Sequence, residues 1–204
     1  MSTIAVTGGV ACGKTEVCRL LRSGFPPESV SFISCDVVVS ELLESPQIAD
    51  EIVSAGGRWE AELAEGRGIN RNRFRELLFE NSEFRGTIEA LLHPRVLERV
   101  SAHVRGQSGE IRVTLIEVPL LYEVDFPVDR DLDLVVAASE STQIGRIRSV
   151  RGLTGTLARR IIESQLPIDE KIKRADIVVW NDGDRSVLEV QTSHLVLRCL
   201  RLFN

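Results

Sequence analysis

The sequence predicts an α/β fold, a doubly wound parallel sheet of five strands interrupted by a helical insertion. Three features predict it. Gly8 to Thr15 is a glycine-rich stretch set between a short apolar strand and a helix, the order that opens a βαβ unit. Five short apolar segments alternate with helical segments over most of the chain. From about residue 40 to 109 that alternation stops, and helical segments follow one another without a strand between them.

The elements read in order as follows. Ile4-Ala5-Val6 is a strand, and Thr15 to Arg22 a helix ended by Gly24. Pro26-Pro27 marks a loop before a second strand, Val30 to Ile33, which ends in Ser34-Cys35-Asp36. Val37 to Leu43 is helical and stops before Pro46. The insertion holds helical segments at Ile48–Val53, Arg71–Phe79, Glu83–Leu92 and Arg95–Val104, with apolar residues three and four apart. Gly56-Gly57, the stretch from Gly66 to Gly68, and Pro94 separate them.

Strands resume at Ile111–Val118. Leu132–Ala138 is almost continuously apolar, as a parallel strand covered on both faces should be. Ser141–Val150 and Thr154–Leu166 are helical, the second carrying Leu157 and Ile161 along one side and broken by Pro167. Asp176–Trp180 is the last strand, Asn181 to Asp184 a turn, and Ser186–Leu202 the closing helix. A doubly wound sheet of this kind places its ligand at the carboxyl ends of the strands.

The bulk properties exclude several classes. A chain of 204 residues with 43% hydrophobic and 27% charged residues suits one α/β domain with a small insertion. A net charge of −5 argues against nucleic acid as the main partner. No apolar run is long enough to span a bilayer, and the chain opens directly on a strand, so a cytoplasmic protein without membrane partner is expected. Cys12, Cys18, Cys35 and Cys199 have no metal-ligand spacing and read as reduced thiols.

Gly8-Gly9-Val10-Ala11-Cys12-Gly13-Lys14-Thr15 is a complete G-x-x-x-x-G-K-[ST] phosphate-binding loop. Its glycines let the backbone turn tightly with N–H groups pointing inward, and the new helix adds its positive end, so a polyphosphate is cradled. Lys14 would reach the β- and γ-phosphates, and the Thr15 hydroxyl would sit on Mg²⁺. Only three of the 25 Lys and Arg residues are lysines, and one of them falls where the motif requires it.

Asp36, closing the second strand on the same sheet edge, is a candidate to orient an acceptor hydroxyl and take its proton; the alternative is a helix N-cap for Val37 onward. Glu117 is an acid on an apolar strand and is a candidate to hold a magnesium-bound water, or is an ordinary strand-end carboxylate. His93, in Leu91-Leu92-His93-Pro94, reads as the cap of a helix C-terminus. Arg146, Arg148, Arg151, Arg159 and Arg160 cluster between the fourth and fifth strands, where phosphoryl-transfer enzymes carry an arginine-bearing lid. There is no N-K-x-D guanine motif and no Asp three residues before a Gly, which counts against a GTP switch. Another small kinase, acting on a nucleotide or a sugar acid, is the competing enzyme reading.

Five segments in order closely resemble the dephospho-CoA kinase family. Thr7 to Val10 with Gly13-Lys14-Thr15 is similar to its T-G-G-I-G-S-G-K-S loop, and Asp36 to the second Asp of its D-A-D segment. Leu92-His93-Pro94 with Val96 resembles L-H-P-x-V/I, and Pro119-Leu120-Leu121-Tyr122-Glu123 resembles P-L-L-F-E. Arg160-Ile161 with Gln165, Lys171, and Ala175-Asp176 leading to Asn181 follow R-I-x-x-Q, K and A-D-x-V-I-x-N.

The resemblance implies a P-loop NTPase-type three-layer sandwich. Residues 1–39 and 110–204 would form the nucleotide-binding core, with a lid at about 146–167, and residues 40–109 the helical subdomain that receives dephospho-CoA. It implies phosphate transfer from ATP, with Mg²⁺, to the ribose 3′-hydroxyl of dephospho-CoA by a monomer or weak homo-oligomer. Asp36, Lys14 and Arg146 would be catalytic. Gly9, Val10, Ala11, Cys12, Gly13, Lys14, Thr15 and Asn181 would hold ATP, and the segment after Asn181 would lie against adenine. Asp36, His93, Leu120 and Arg160 would meet the acceptor, and Thr15 and Glu117 the metal.

The chain departs from the family pattern at several places. Ala11-Cys12 replaces Gly-Ser, which suits an Ala11 of negative φ and puts the Cys12 thiol in a positive cradle expected to lower its pKa and make it oxidisable. Ser34 replaces the first Asp of D-A-D, and Ser40 a frequent basic residue. Arg146, Arg148 and Arg151 do not reproduce the family's R-x-x-x-R spacing.

Overall fold

The structure, a computed structural model, describes residues 2–66, 68–107 and 109–202, with backbone alone for Phe79, Arg151 and Leu202. Strand β1 (Ser2–Gly8) runs into helix α1 (Lys14–Gly24), and a turn of 3₁₀ helix over Pro27–Ser29 leads to β2 (Val30–Ser34). Then follow α2 (Cys35–Leu42), α3 (Pro46–Ala55), α4 (Glu60–Leu63), the two-residue strands β3 (Ala64–Glu65) and β4 (Gly68–Ile69), α5 (Arg71–Glu80) and α6 (Ser82–Arg105). The chain returns through β5 (Val113–Glu117), β6 (Leu132–Ala137), α7 (Glu140–Arg151), α8 (Gly155–Glu163), α9 (Ile168–Arg174), β7 (Ile177–Trp180) and α10 (Arg185–Leu202).

Two compact units result, one made of residues up to Ser34 together with those from His103, the other of Cys35–Ala102. The first holds the five-stranded sheet in the order β2-β5-β1-β6-β7, with every pairing parallel. β1 is buried along its whole length because it is central and covered on both faces. Its core joins Ile4, Val6, Leu115, Leu134 and Val136 of the strands to Val17 and Leu21 of α1 and Leu188 and Val196 of α10. All five strands stand where apolar runs predict them. Among the described residues, no helix is long and apolar enough to cross a membrane.

The second unit is helical with a small antiparallel β3–β4 pair, which the sequence reading did not anticipate. It also differs at Pro94. A break was predicted there, but α6 continues through it for 24 residues. Ile88, Leu92, Val96 and Val100 recur every fourth residue and are all buried. Keeping that stripe inside outweighs the loss of about 3 kcal/mol that a proline brings to a helix interior. His93 therefore lies in mid-helix, and its reading as a C-terminal cap is overturned. Asp36 is likewise the second residue of α2, in its first turn, and not the N-cap. In the first unit the helix expected over Thr154–Leu166 stops at Glu163, three residues short of Leu166, and α9, not foreseen, starts directly after Pro167.

Candidate active site

The phosphate loop leaves β1 at Gly8 and closes on the first turn of α1. Gly8 has φ +147°, and a Cβ there would collide with the Val136 carbonyl of the neighbouring strand. Gly13, which caps α1, has φ +93°, and a Cβ there would collide with the Asn181 side-chain amide. Both glycines are therefore demanded by sterics as well as by the turn. Ala11 is the exception. Its φ is +57°, the one positive value among the described non-glycine residues, so the condition of negative φ that would suit an alanine here is not met. An L-residue in that region gives up about 1–2 kcal/mol, which the neighbouring contacts must hold in place.

Those contacts come from the far end of the sequence. Arg146, in α7, donates to the Ala11 and Cys12 carbonyls at 3.2 and 3.4 Å and to the Asn181 carbonyl at 2.8 Å. Asn181, just beyond β7, donates its side-chain amide to the Cys12 carbonyl at 2.8 Å. These bonds hold the loop's outward-facing carbonyls, while the Cys12 N–H turns back to the Gly9 carbonyl at 3.3 Å. Beneath the loop Val10 is buried with Ile147 and Ala158, and Ala11, Leu153, Ile161 and Ile162 pack around them. The Val10 amide donates to Gln165 Oε1 at 2.8 Å.

The charged groups of the loop sit close by. Lys14 Nζ donates to the Gly9 and Gly8 carbonyls at 3.0 and 3.3 Å, poised at the loop mouth. The Thr15 hydroxyl donates to Glu117 Oε1 at 2.7 Å. Glu117 ends β5 opposite Val6 of β1 and is only 4% exposed, so the sheet register delivers its carboxylate to the base of α1. Cys12 is wholly buried. Burial pushes its thiol pKa up, and the opposing pull of Lys14 is smaller. The expected low-pKa, oxidisable thiol is thus overturned: the cradle is positive, but the sulfur faces away from water.

The structure thus brings together the loop residues Gly9 to Thr15, Glu117, Arg146 and Asn181. Leu120 lies in the turn after β5 and is partly exposed. Arg160 is exposed on α8, while its neighbour Arg159 pairs with Glu140 at 3.0 Å. Arg148 is exposed, and the side chain of Arg151 lies outside the described residues. Asp36, exposed, and His93, half-buried, belong to the helical unit. Sequence reasoning gave no role to Gln165, nor to the pair formed by Lys171 and Glu123 at 2.6 Å. Their place in family motifs was the signal available.

Fold and site together define a phosphate-loop kinase. A sequence profile of the dephospho-CoA kinase family matches residues 2–186. A dephospho-CoA kinase of Acinetobacter baylyi is 31% identical over 184 residues, covering 90% of each chain. The fold is shared with TT1252 from Thermus thermophilus, at a TM-score of 0.78, 24% identity and 97% coverage of both chains. It is shared also with the dephospho-CoA kinase from Campylobacter jejuni, at a TM-score of 0.69, 22% identity and coverage of 97% and 96%. The chain belongs to the dephospho-CoA kinase family.

Proposed function

We infer that this chain transfers the γ-phosphoryl group of ATP to the ribose 3′-hydroxyl of dephospho-CoA, giving CoA and ADP. The observation that carries the reading is the Thr15–Glu117 contact under a complete phosphate loop, in a chain matched by the family profile over residues 2–186.

Transfer of this kind needs positioning and charge stabilisation more than covalent chemistry. The loop amides hold the β-phosphate, and Lys14 turns from the loop carbonyls to the phosphates. Arg146 keeps the loop in shape and adds positive charge beside it. Thr15 and Glu117 offer two hard oxygen donors 2.7 Å apart. That set fits a magnesium ion, which takes one or two protein oxygens and completes its shell with phosphate and water. When bound, the ion neutralises charge developing on the β- and γ-oxygens. In this reading Asp36 would orient the acceptor hydroxyl and take its proton, and His93, Leu120 and Arg160 would each contribute to acceptor binding.

The test is ADP release with dephospho-CoA as sole acceptor, run beside nucleoside monophosphates, shikimate and gluconate. Release with dephospho-CoA alone is expected; robust phosphorylation of another acceptor and none of dephospho-CoA would refute the reading. Asp36→Asn is expected to nearly abolish kcat with the fold retained, and retention of most of kcat would remove Asp36 from its role.

A further inference from the structure

A cluster that phosphoryl transfer does not use lies at the end of the lid. Gln165 follows α8, and its Oε1 accepts the Val10 N–H at 2.8 Å across 155 residues of sequence. Leu166, next along, donates its amide to Glu123 Oε1 at 3.1 Å. That oxygen is paired at 2.6 Å with Lys171 of α9, a fully buried lysine. The last residues of the lid are therefore fixed twice, once to the phosphate loop and once to the segment after β5. At the lid's other end Arg146 holds the Ala11 and Cys12 carbonyls. Between these two grips the loop's Val10 side chain is packed among Ile147, Ala158 and Ile161 of the lid helices.

We propose that Gln165 is a positioning residue that couples occupancy of the phosphate loop to the order of the lid. The Val10 amide is spent on Gln165 and points away from the cradle. Any adjustment of the loop around a polyphosphate is thus carried, through that bond and through the packed Val10 side chain, to the anchored end of α8. Gln165 touches no reacting atom. It makes the lid's pivot a part of the loop.

The proposal rests on the loop being the ATP site, which calorimetric titration of the unmodified chain with ADP and Mg²⁺ tests separately. Absence of binding there overturns both. The coupling itself is read by limited tryptic cleavage at the exposed lid residues Arg148, Arg159 and Arg160, with and without saturating ADP and Mg²⁺. Nucleotide is expected to slow cleavage of the unmodified lid about fivefold or more, the equilibrium factor of one neutral hydrogen bond. Gln165→Leu has the same size and no acceptor. It is expected to cut that protection to less than about twofold and to raise KM for ATP about fivefold, leaving KM for dephospho-CoA unchanged. Gln165→Glu retains an acceptor for the Val10 amide and restores the protection. Gln165→Asn, too short to reach, gives a second variant of unchanged chemistry and should lose protection as Leu does. Protection retained in the Leu or Asn variant, or ADP binding without any lid protection in the unmodified chain, overturns the coupling and leaves the functional reading intact.

Discussion

Glu123 and Lys171 form the most consequential ion pair outside the phosphate loop. Their atoms are 2.6 Å apart, and the two side chains are 18% and 0% exposed. At an effective dielectric constant of about 20 their attraction is about 6 kcal/mol. Desolvating two ions offsets most of that, so the pair contributes little net stability over apolar residues of the same volume. Breaking it is a different matter. Glu123→Gln keeps an acceptor for the Leu166 amide but leaves an ammonium group sealed from water, and the expected loss is about 3–4 kcal/mol. For a chain of this length that corresponds to a fall in Tm of about 6–16 °C. Lys171→Met leaves the carboxylate, which still reaches solvent, and should cost about 2 kcal/mol. The double variant Glu123→Gln/Lys171→Met should recover most of the loss, with a coupling of at least about 2 kcal/mol between the sites. Thermal melts of the four proteins measure this. Additive losses, or a Glu123→Gln protein within 2 °C or so of the parent, would refute the claim that Lys171 depends on its partner.

Other expectations concern the loop. Gly13→Ala places a methyl group against the Asn181 amide at φ +93° and should weaken ATP binding about tenfold or more, measured by titration. Ala11→Gly relieves strain of about 1–2 kcal/mol but loses a packed methyl and gains unfolded-state entropy of about 1 kcal/mol together, so Tm should move by only a few degrees. Glu117→Gln should raise the Mg²⁺ concentration required for activity about tenfold, read from kcat against free Mg²⁺. Iodoacetamide on the native chain should modify the half-buried Cys35 before the buried Cys12, Cys18 and Cys199, as peptide mass analysis will show. Because burial raises the Cys12 pKa, its thiolate fraction at pH 8 is below that of a free cysteine, and its reactivity grows only as pH rises toward that raised value.

Much of the molecule is written locally. Strand β1, the glycine pattern and helix α1 are legible because each depends on neighbours within a few residues. The five sheet strands are legible because the apolar runs are short, rich in Val, Ile and Leu, and alternate with helical segments. Pro94 misled because a local rule, the helix-breaking proline, meets a stripe of four residues, Ile88, Leu92, Val96 and Val100, that the fold buries. Ala11 and Cys12 misled for the same reason. The carbonyls of Ala11 and Cys12 are held by Arg146 and Asn181, contacts that span more than 130 residues, and the Cys12 side chain is buried in the sheet core with Val6, Val17 and Val136.

The amino-acid sequence by itself thus determined the sheet and the loop with its Lys14 and Thr15, and marked Asp36 and Glu117 as candidates, because motif spacing and apolar period are properties of the chain. Tertiary structure alone decided that the Glu117 carboxylate meets the Thr15 hydroxyl, that Arg146 and Asn181 hold the loop's carbonyls, that Gln165 accepts from the Val10 amide and that Lys171 pairs with Glu123. These are matters of register and packing. A shift of one residue between β1 and β5 would turn Glu117 to the opposite face of the sheet, and only the folded core fixes that register.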